Sequence, residues 1–242
     1  MTLRIWSTRT IRTWPTPVVL LLFLSYAPVI TLLWVALVVL AALVTAGPAL
    51  WGGAPWDIWE QVSAGFAPWF ALGLGFSLIR MFMPLHIAHG RIRREFTAHA
   101  TVFTALFSAF LAVLIAVGYL LERVVLNSLG QTQSLGYHRF FTDTYQFTRV
   151  VAEYWSIYSS WMIVGVFVSA AFYRSRTLGL GSLLVGFPLV YLGRGLANLA
   201  VPDHLENLPG VAALGVSAVI FLIGALLVWA LLRDIPLRAK TM

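Results

Sequence analysis

The sequence predicts an all-α integral membrane protein with six transmembrane helices, both termini in the cytoplasm and an interfacial amphipathic helix at the N-terminus. Hydrophobic residues make up 60% of the 242 residues and charged residues only 10%, whereas soluble domains carry about 25% charged residues. The apolar residues form long uncharged runs, and the basic residues lie mostly between alternate runs. The whole chain, 1–242, is therefore predicted to be a single transmembrane domain.

Six segments are long and apolar enough to be spans, since a spanning helix needs about 20 predominantly apolar residues. They are residues 18–46, 62–83, 96–121, 154–173, 178–201 and 211–232. The first run is longer than the apolar region of a cleaved signal peptide, so we expect it to remain as an anchor. Arg194 interrupts the fifth run, which is the least regular of the six.

The basic residues orient the predicted bundle, because cytoplasmic loops carry an excess of arginine and lysine. With both termini cytoplasmic, the inner segments hold Arg4, Arg9, Arg12, Arg80, Arg91, Arg93, Arg94, Arg174, Arg176, Arg233, Arg238 and Lys240. The outer segments hold only Arg123, Arg139 and Arg149. This asymmetry predicts a multi-pass topology with both ends inside.

Residues 1–16 precede the first span and are predicted to form the interfacial helix. At 100° per residue, Leu3, Trp6 and Trp14 share one face and arginines occupy the other, a pattern typical of helices that lie on a membrane surface. Pro15 then ends the helix. An unstructured basic tail is the alternative.

Three charged residues near the predicted outer face are candidates for an ion pair or a substrate pathway: Glu122, Arg123 and Arg194. A charge within a span usually faces a partner or a water-filled cavity, and Glu122, Glu153 and Asp203 all lie at a suitable level to pair with Arg194. The long outer segment 122–153 is rich in aromatic residues, so we expect it to anchor at the headgroups or to line an entrance. Residues 195–210 form either a re-entrant segment or an ordinary loop.

The sequence offers no catalytic or metal-binding motif. There are no cysteines, which excludes thiolate chemistry, and no phosphate-binding glycine loop is present. His86 and His89 lie in an arginine-rich segment and are predicted to be solvated at the interface. The net charge of +7 comes from scattered residues, so we expect no nucleic-acid partner.

The most informative segment is a basic cluster between the second and third predicted spans. It consists of Gly90, Arg91, Ile92, Arg93, Arg94, Glu95 and Phe96. Arginines at this density must face water, and the cluster is either a docking point for a cytosolic partner or a contact with anionic lipid.

The N-terminal helix, the six spans and this basic cluster together resemble a permease subunit of the ABC exporters that have type-2 transmembrane domains. The string LHIAHGRIRREF at residues 85–96 is similar to the G-x-[ST]-R-R-x-F pattern of small bacterial permeases, and Glu122 resembles the acidic residue that closes their next span.

The resemblance implies a transport subunit with no enzymatic activity of its own. It implies that Gly90, Arg91, Arg93, Arg94, Glu95 and Phe96 couple the chain to a separate cytosolic ATPase subunit, which would bind ATP and Mg²⁺, and that a second permease subunit completes a dimer. It further implies export of a hydrophobic or amphipathic compound across a bacterial plasma (inner) membrane. A non-transport scaffold or regulatory subunit, and a membrane-embedded enzyme acting on lipid, are the alternatives.

Overall fold

The computed structural model describes residues 16–50, 58–88, 93–133, 135, 140–199 and 209–233, and this part of the chain contains helices and no strands. The helices are α1 (Thr16–Leu50), α2 (Ile58–Glu60), a π-helix (Gln61–Phe66), α3 (Ala67–Ala88), α4 (Arg93–Ser128), α5 (Phe147–Arg174), α6 (Arg176–Leu199) and α7 (Pro209–Arg233). The elements α2, π-helix and α3 follow one another without a break.

Five helical stretches in the described residues are long and apolar enough to cross a membrane. They are Val19–Pro48, Ile58–Ala88, Arg94–Ser128, Phe147–Arg174 and Leu214–Arg233. The chain is therefore an all-helical, multi-pass membrane protein. The fifth predicted span, 178–201, falls in α6, where the described apolar stretch Arg176–Tyr191 is shorter. The predicted interfacial helix at 1–16 lies outside the described residues except for Thr16, which begins α1.

Helix α5 occupies the centre of the bundle and packs against α3, α4, α6 and α7, whereas α1 packs mainly on α4. A run of residues from Ser160 to Ala171 on α5 is buried on all sides. A helix that is apolar and enclosed all round is typical of a bundle core. The exposed apolar side chains lie mainly on the outer helices, as expected for a surface in contact with lipid.

Close backbone contact between α3 and α5 depends on glycine. A Cβ atom added to Gly75 would overlap the carbonyl oxygen of Met162, and one added to Gly165 would overlap that of Leu72. Small residues at such crossings let transmembrane helices approach closely and gain van der Waals contact.

Several helices extend beyond the predicted spans, and three of these extensions lie at the same end of the bundle. The second span begins at Ile58 instead of residue 62, α4 continues to Ser128, and α5 begins at Phe147. The non-helical connection between α4 and α5 is therefore shorter than the predicted 122–153. These extensions form because polar side chains beyond the apolar runs hydrogen-bond to one another across the helices, as described next.

Helix α4 ends in a Schellman motif that turns the chain back toward the bundle. Gly130 has a positive φ of 69°, which glycine adopts without steric cost. The Gln131 N–H donates to the Leu126 carbonyl and the Gly130 N–H to the Asn127 carbonyl, the two bonds that define the motif. This turn brings Gln133 to the side of α4.

Candidate functional site

A buried polar cluster lies where the π-helix meets α4 and α5. The Ser63 hydroxyl is 2.7 Å from the Tyr119 hydroxyl and 3.0 Å from the Tyr154 hydroxyl, and the two tyrosine hydroxyls are 2.6 Å apart. Ser63, Tyr119 and Tyr154 are all buried. Three helices are thus joined by one ring of hydroxyl groups, each of which can both donate and accept a hydrogen bond.

Glu60 and Tyr158 extend this cluster on opposite sides of Ser63. The Tyr119 hydroxyl donates to Glu60 Oε2 at 2.6 Å, a length typical of a hydrogen bond to a charged carboxylate. The Tyr158 hydroxyl donates to the Ser63 backbone carbonyl at 2.9 Å. A π-helix shifts the backbone hydrogen-bond pattern and is frequent at functional sites, and here a side chain satisfies one of its carbonyls.

Trp59 connects the polar cluster to α4 through its backbone and its side chain. Its backbone N–H donates to Glu122 Oε1 at 3.0 Å, and its indole Nε1–H donates to the Ile115 carbonyl at 2.9 Å. The indole lies directly against Gly118, where any Cβ atom would overlap the ring. The start of the second span is therefore fixed against α4 at three points.

Glu122 is also bonded to the connection that follows α4. Gln133 Nε2 donates to Glu122 Oε2 at 2.8 Å, and the Thr144 hydroxyl donates to Gln133 Oε1 at 3.3 Å. Phe140 donates its backbone N–H to Glu153 Oε2 at 3.2 Å. The described part of the α4–α5 connection therefore caps this end of the bundle.

Arg123 forms an ion pair with Asp143 in the same connection. Its guanidinium also donates to the Thr144 hydroxyl at 3.0 Å and lies 3.9 Å from the centre of the Tyr145 ring. The backbone N–H of Tyr145, which donates to Asp143 Oδ1 at 2.9 Å, and the neighbouring Arg123 lower the pKa of the Asp143 carboxyl below its ordinary value of 3.8. Both interactions favour the ionised form.

An apolar pocket lies beside the polar cluster, between α1, the start of the second span and α4. Its cavity volume is about 40 Å³, well below the roughly 300–1,000 Å³ of small-molecule sites. Trp59 and Tyr158, which belong to the polar cluster, form part of its wall. The lining residues are Ile30, Leu33, Trp34, Leu37, Trp59, Val62, Phe66, Ala67, Phe70, Leu111, Leu114, Ile115 and Tyr158.

The predicted outer-face residues Glu122 and Arg123 are not paired with each other. Each has its own set of partners, Glu122 with Trp59 and Gln133, and Arg123 with Asp143 and Thr144. Arg194 is in α6, but its side chain lies outside the described part of the structure, so its pairing with Glu122 stays a prediction.

The predicted coupling residues that the structure describes, Arg93, Arg94, Glu95 and Phe96, lie at the opposite end of the bundle. Gly90 and Arg91 are outside the described residues, and Arg93 begins α4. Arg94 and Glu95 are exposed, whereas Phe96 is only 1% exposed. Phe96 packs on the ring of His86, with the two ring centres 5.3 Å apart, so it anchors the start of α4 within this chain instead of presenting an apolar group at the surface.

The prediction that His86 is solvated is wrong, because His86 is buried between Phe96 and His99. These rings meet because His86 lies in the last turn of α3 and Phe96 and His99 lie in the first two turns of α4, and only four residues separate the two helices. His89 lies outside the described residues. Among the residues that the structure describes, no group of three or more His, Cys, Asp or Glu side chains could hold a metal ion.

Sequence reasoning did not identify Ser63, Tyr119, Tyr154 and Tyr158 as a group. Tyr154 and Tyr158 are four residues apart and thus share one face of α5, which is the one local signal that was available. The remaining contacts join residues 35 to 95 positions apart.

No known protein family, curated protein or solved structure matches this chain. The features above define the class as a multi-pass helical membrane protein. Its described part has a hydrogen-bonded polar cluster and an apolar pocket at one end, and the arginines that begin α4 at the other.

Proposed function

We propose that this chain is the permease subunit of an ATP-driven exporter of hydrophobic or amphipathic compounds. In this proposal it has six spans with both termini in the cytoplasm of a bacterium, and the fifth span continues through the end of α6. Two copies, or this chain and a related one, would form the transmembrane dimer in the plasma (inner) membrane. Two cytosolic ATPase subunits would bind ATP and Mg²⁺.

The observation that carries the proposal is the short basic turn between α3 and α4. Helix α3 ends at Ala88 and α4 begins at Arg93, so four residues separate two helices that both pack on α5. Arg94 and Glu95 in the first turn of α4 are exposed. A protein that binds this turn therefore contacts two core helices at once, and those helices carry Trp59, Ser63 and Tyr119 at their other ends.

The chemistry of the turn suits a protein partner. Arginine binds carboxylates with two parallel hydrogen bonds and holds its charge at any physiological pH. Anionic lipid headgroups attract basic residues as well, but that attraction applies equally to other basic residues on the same side of the membrane. Arg174 and Arg176, which flank the turn between α5 and α6, are exposed at the same end of the bundle.

Charge reversal at these two turns distinguishes binding of a protein partner from attraction to anionic lipid headgroups. The tagged full chain is isolated from its native membrane, and the proteins that co-purify are identified by mass spectrometry. We expect a P-loop ATPase subunit to co-purify with the wild type and with the R174E/R176E control, and to be lost from R93E/R94E. Equal yield and a single symmetric elution peak for the three proteins show that each is folded.

Two outcomes contradict the proposal. Either no ATPase is found with the wild-type protein, which favours a scaffold or regulatory subunit, or the ATPase remains bound to R93E/R94E. If both double variants lose the ATPase equally, general attraction between the basic side and the membrane explains the result, and the turn has no specific role.

A further inference from the structure

Two buried hydrogen-bond donors on the central helix α5 have no acceptor in the described part of the chain. They are the indole Nε1–H of Trp161 and the hydroxyl of Ser169, whose residues are 2% and 1% exposed. The other serines of α5 donate to a carbonyl of their own helix, which is the usual arrangement for serine in a helix: Ser156, Ser159 and Ser160. A buried donor without an acceptor is costly, so each of the two groups requires an explanation.

Both donors lie where α5 packs against α3. Gly165 is four residues from each of them and faces the Leu72 carbonyl of α3, and residues four apart lie on the same side of a helix. The Trp161 ring also packs on Trp69 of α3, with ring centres 4.9 Å apart. The two donors therefore flank the glycine crossing in the α3–α5 seam, the interface around Gly75 and Gly165, and they are about 12 Å apart along α5 at 1.5 Å per residue.

The α3–α5 seam lies far from water. Trp161 is 14 residues after Phe147 and 13 before Arg174, near the middle of α5. Neither water nor an acyl chain supplies an acceptor at this depth of a bilayer. The groups that could pair with these donors are therefore those of a molecule that enters the seam.

The chemistry of the seam limits what that molecule can be. An indole N–H can only donate, so the molecule must present an acceptor. The α5 residues 154–173 include no charged side chain, and Arg80 of α3 is exposed. An ionised ligand would lack a counter-charge in hydrocarbon, so the acceptor is a neutral oxygen.

Two exposed aromatic rings lie beside Trp161 on the lipid side. Trp69 is 49% exposed, and Tyr191 of α6, whose ring centre is 5.8 Å from that of Trp161, is 51% exposed. A molecule dissolved in the bilayer thus contacts these two rings before it reaches the Trp161 N–H.

We propose that the α3–α5 seam binds an uncharged amphiphile through ester, ether or hydroxyl oxygens, to which Trp161 and Ser169 donate. The proposal rests on the exporter function above, because it narrows the substrate of that exporter to amphiphiles of this chemistry. Binding requires α3 and α5 to separate beside the glycine crossing, since the seam encloses both donors. Monoolein, an uncharged monoacylglycerol, is a probe of this class.

NMR spectroscopy of the Trp161 indole tests the proposal, because the Nε1–H signal moves when the group gains an acceptor. The full chain is labelled with ¹⁵N-tryptophan in detergent micelles, and the Trp161 signal is the one that is missing from Trp161→Phe. Monoolein should shift this signal in a saturable way. Octadecene has a hydrocarbon chain without an oxygen and should not shift it.

A matched pair of variants tests the second donor. Ser169→Ala removes the unpaired hydroxyl, whereas Ser160→Ala removes a hydroxyl that already donates to the Ser156 carbonyl. We expect Ser169→Ala to weaken monoolein binding several-fold, measured as the concentration that gives half of the Trp161 shift, because a ligand hydrogen bond is lost. Ser160→Ala should bind monoolein as the wild type does. The wild-type titration remains decisive if a variant does not fold.

Four results overturn the proposal. The Trp161 signal may stay unchanged with monoolein, or it may shift equally with octadecene, which indicates altered packing without a hydrogen bond. Rapid exchange of the Trp161 N–H in D₂O before monoolein is added, with no later shift, identifies water as the partner. Equal monoolein affinity of Ser169→Ala and Ser160→Ala shows that the ligand does not reach Ser169. The samples contain no ATPase, so failure here is distinct from failure of the co-purification experiment.

Discussion

Gly75 on α3 and Gly165 on α5 lie on the two sides of one helix crossing, each facing the backbone of the other helix. A Cβ at either position would overlap a carbonyl oxygen, that of Met162 or of Leu72. Backbone atoms cannot rotate away as a flexible side chain can. The two helices can therefore approach this closely only because both positions are glycine.

Gly165→Ala should destabilise the bundle, because the added methyl group forces the two helices apart. Overpacking of this kind costs about 1–3 kcal/mol, which should lower the midpoint of thermal unfolding in detergent. Gly73→Ala on the partner helix α3 is the control, since nothing lies within 4 Å of its Cβ position. Equal unfolding temperatures for the two variants would contradict the close crossing.

Tyr158→Phe should destabilise the π-helix. The variant keeps the ring and removes the hydroxyl that donates to the Ser63 carbonyl. A buried acceptor left without its donor costs about 1–3 kcal/mol. Tyr191→Phe removes a hydroxyl from an exposed tyrosine of α6 and should leave the unfolding midpoint unchanged. A Tyr158→Phe protein as stable as Tyr191→Phe would show that this bond has no net effect.

Glu122→Leu should weaken the contact between the second span and α4. The Trp59 N–H and Gln133 Nε2 each lose their acceptor. Leaving a single buried donor unpaired lowers the free energy of unfolding by about 1–3 kcal/mol, and we expect a decrease at least this large. Glu122→Gln retains one carbonyl oxygen and should fall between the wild type and Glu122→Leu. Urea unfolding followed by tryptophan fluorescence measures this order, and a reversed order would contradict the assigned bonds.

Asp143 should make stability depend on pH in acid. Its pKa is lower in the folded chain than its ordinary value of 3.8, owing to the Tyr145 N–H and Arg123. A group of this kind contributes stability that is fully present above its unfolded pKa and is lost as the pH falls through its folded pKa. The wild type should therefore be more stable than Asp143→Asn at neutral pH.

The advantage of the wild type should disappear as the pH falls below 3.8. Unfolding midpoints of the two proteins, measured from neutral to acid pH, test this convergence. A constant difference across the whole range would show that the charge of Asp143 has no part in it.

Apolar length was enough to predict most of the helices. The runs that became α1, α3, α4, α5 and α7 contain hardly any charged residues, and hydrocarbon tolerates few other backbone conformations. The break between α3 and α4 was also predictable, because the arginines from Arg91 to Arg94 must reach water. The structure has five helices that are long and apolar enough to span a membrane. The sixth span and the cytoplasmic location of both termini stay predictions.

The polar cluster was not predictable in the same way. Which face of a span meets which neighbour depends on helix rotation and depth, and an apolar composition specifies neither. Ser63 lies in the π-helix and meets Tyr119 of α4, 56 positions away along the chain, and a π-helix leaves no composition signal. The partner of Arg123 was missed because Asp143 lies 20 positions away in the connection between α4 and α5, where no periodic pattern indicates which residues meet.

The pair of α3 and α4 is connected at both ends, by four residues at one end and by the Trp59–Glu122 and Trp59–Ile115 hydrogen bonds at the other. We expect a hairpin held in this way to move as a rigid body, so that spin labels on its two helices would keep their separation if the bundle changed state. A relative movement between α3 and α5 would then be a rotation, with the Gly75–Gly165 crossing as its pivot. A small displacement of the basic turn in one direction would carry Ser63 and the wall of the apolar pocket in the opposite direction, with no bend in either helix.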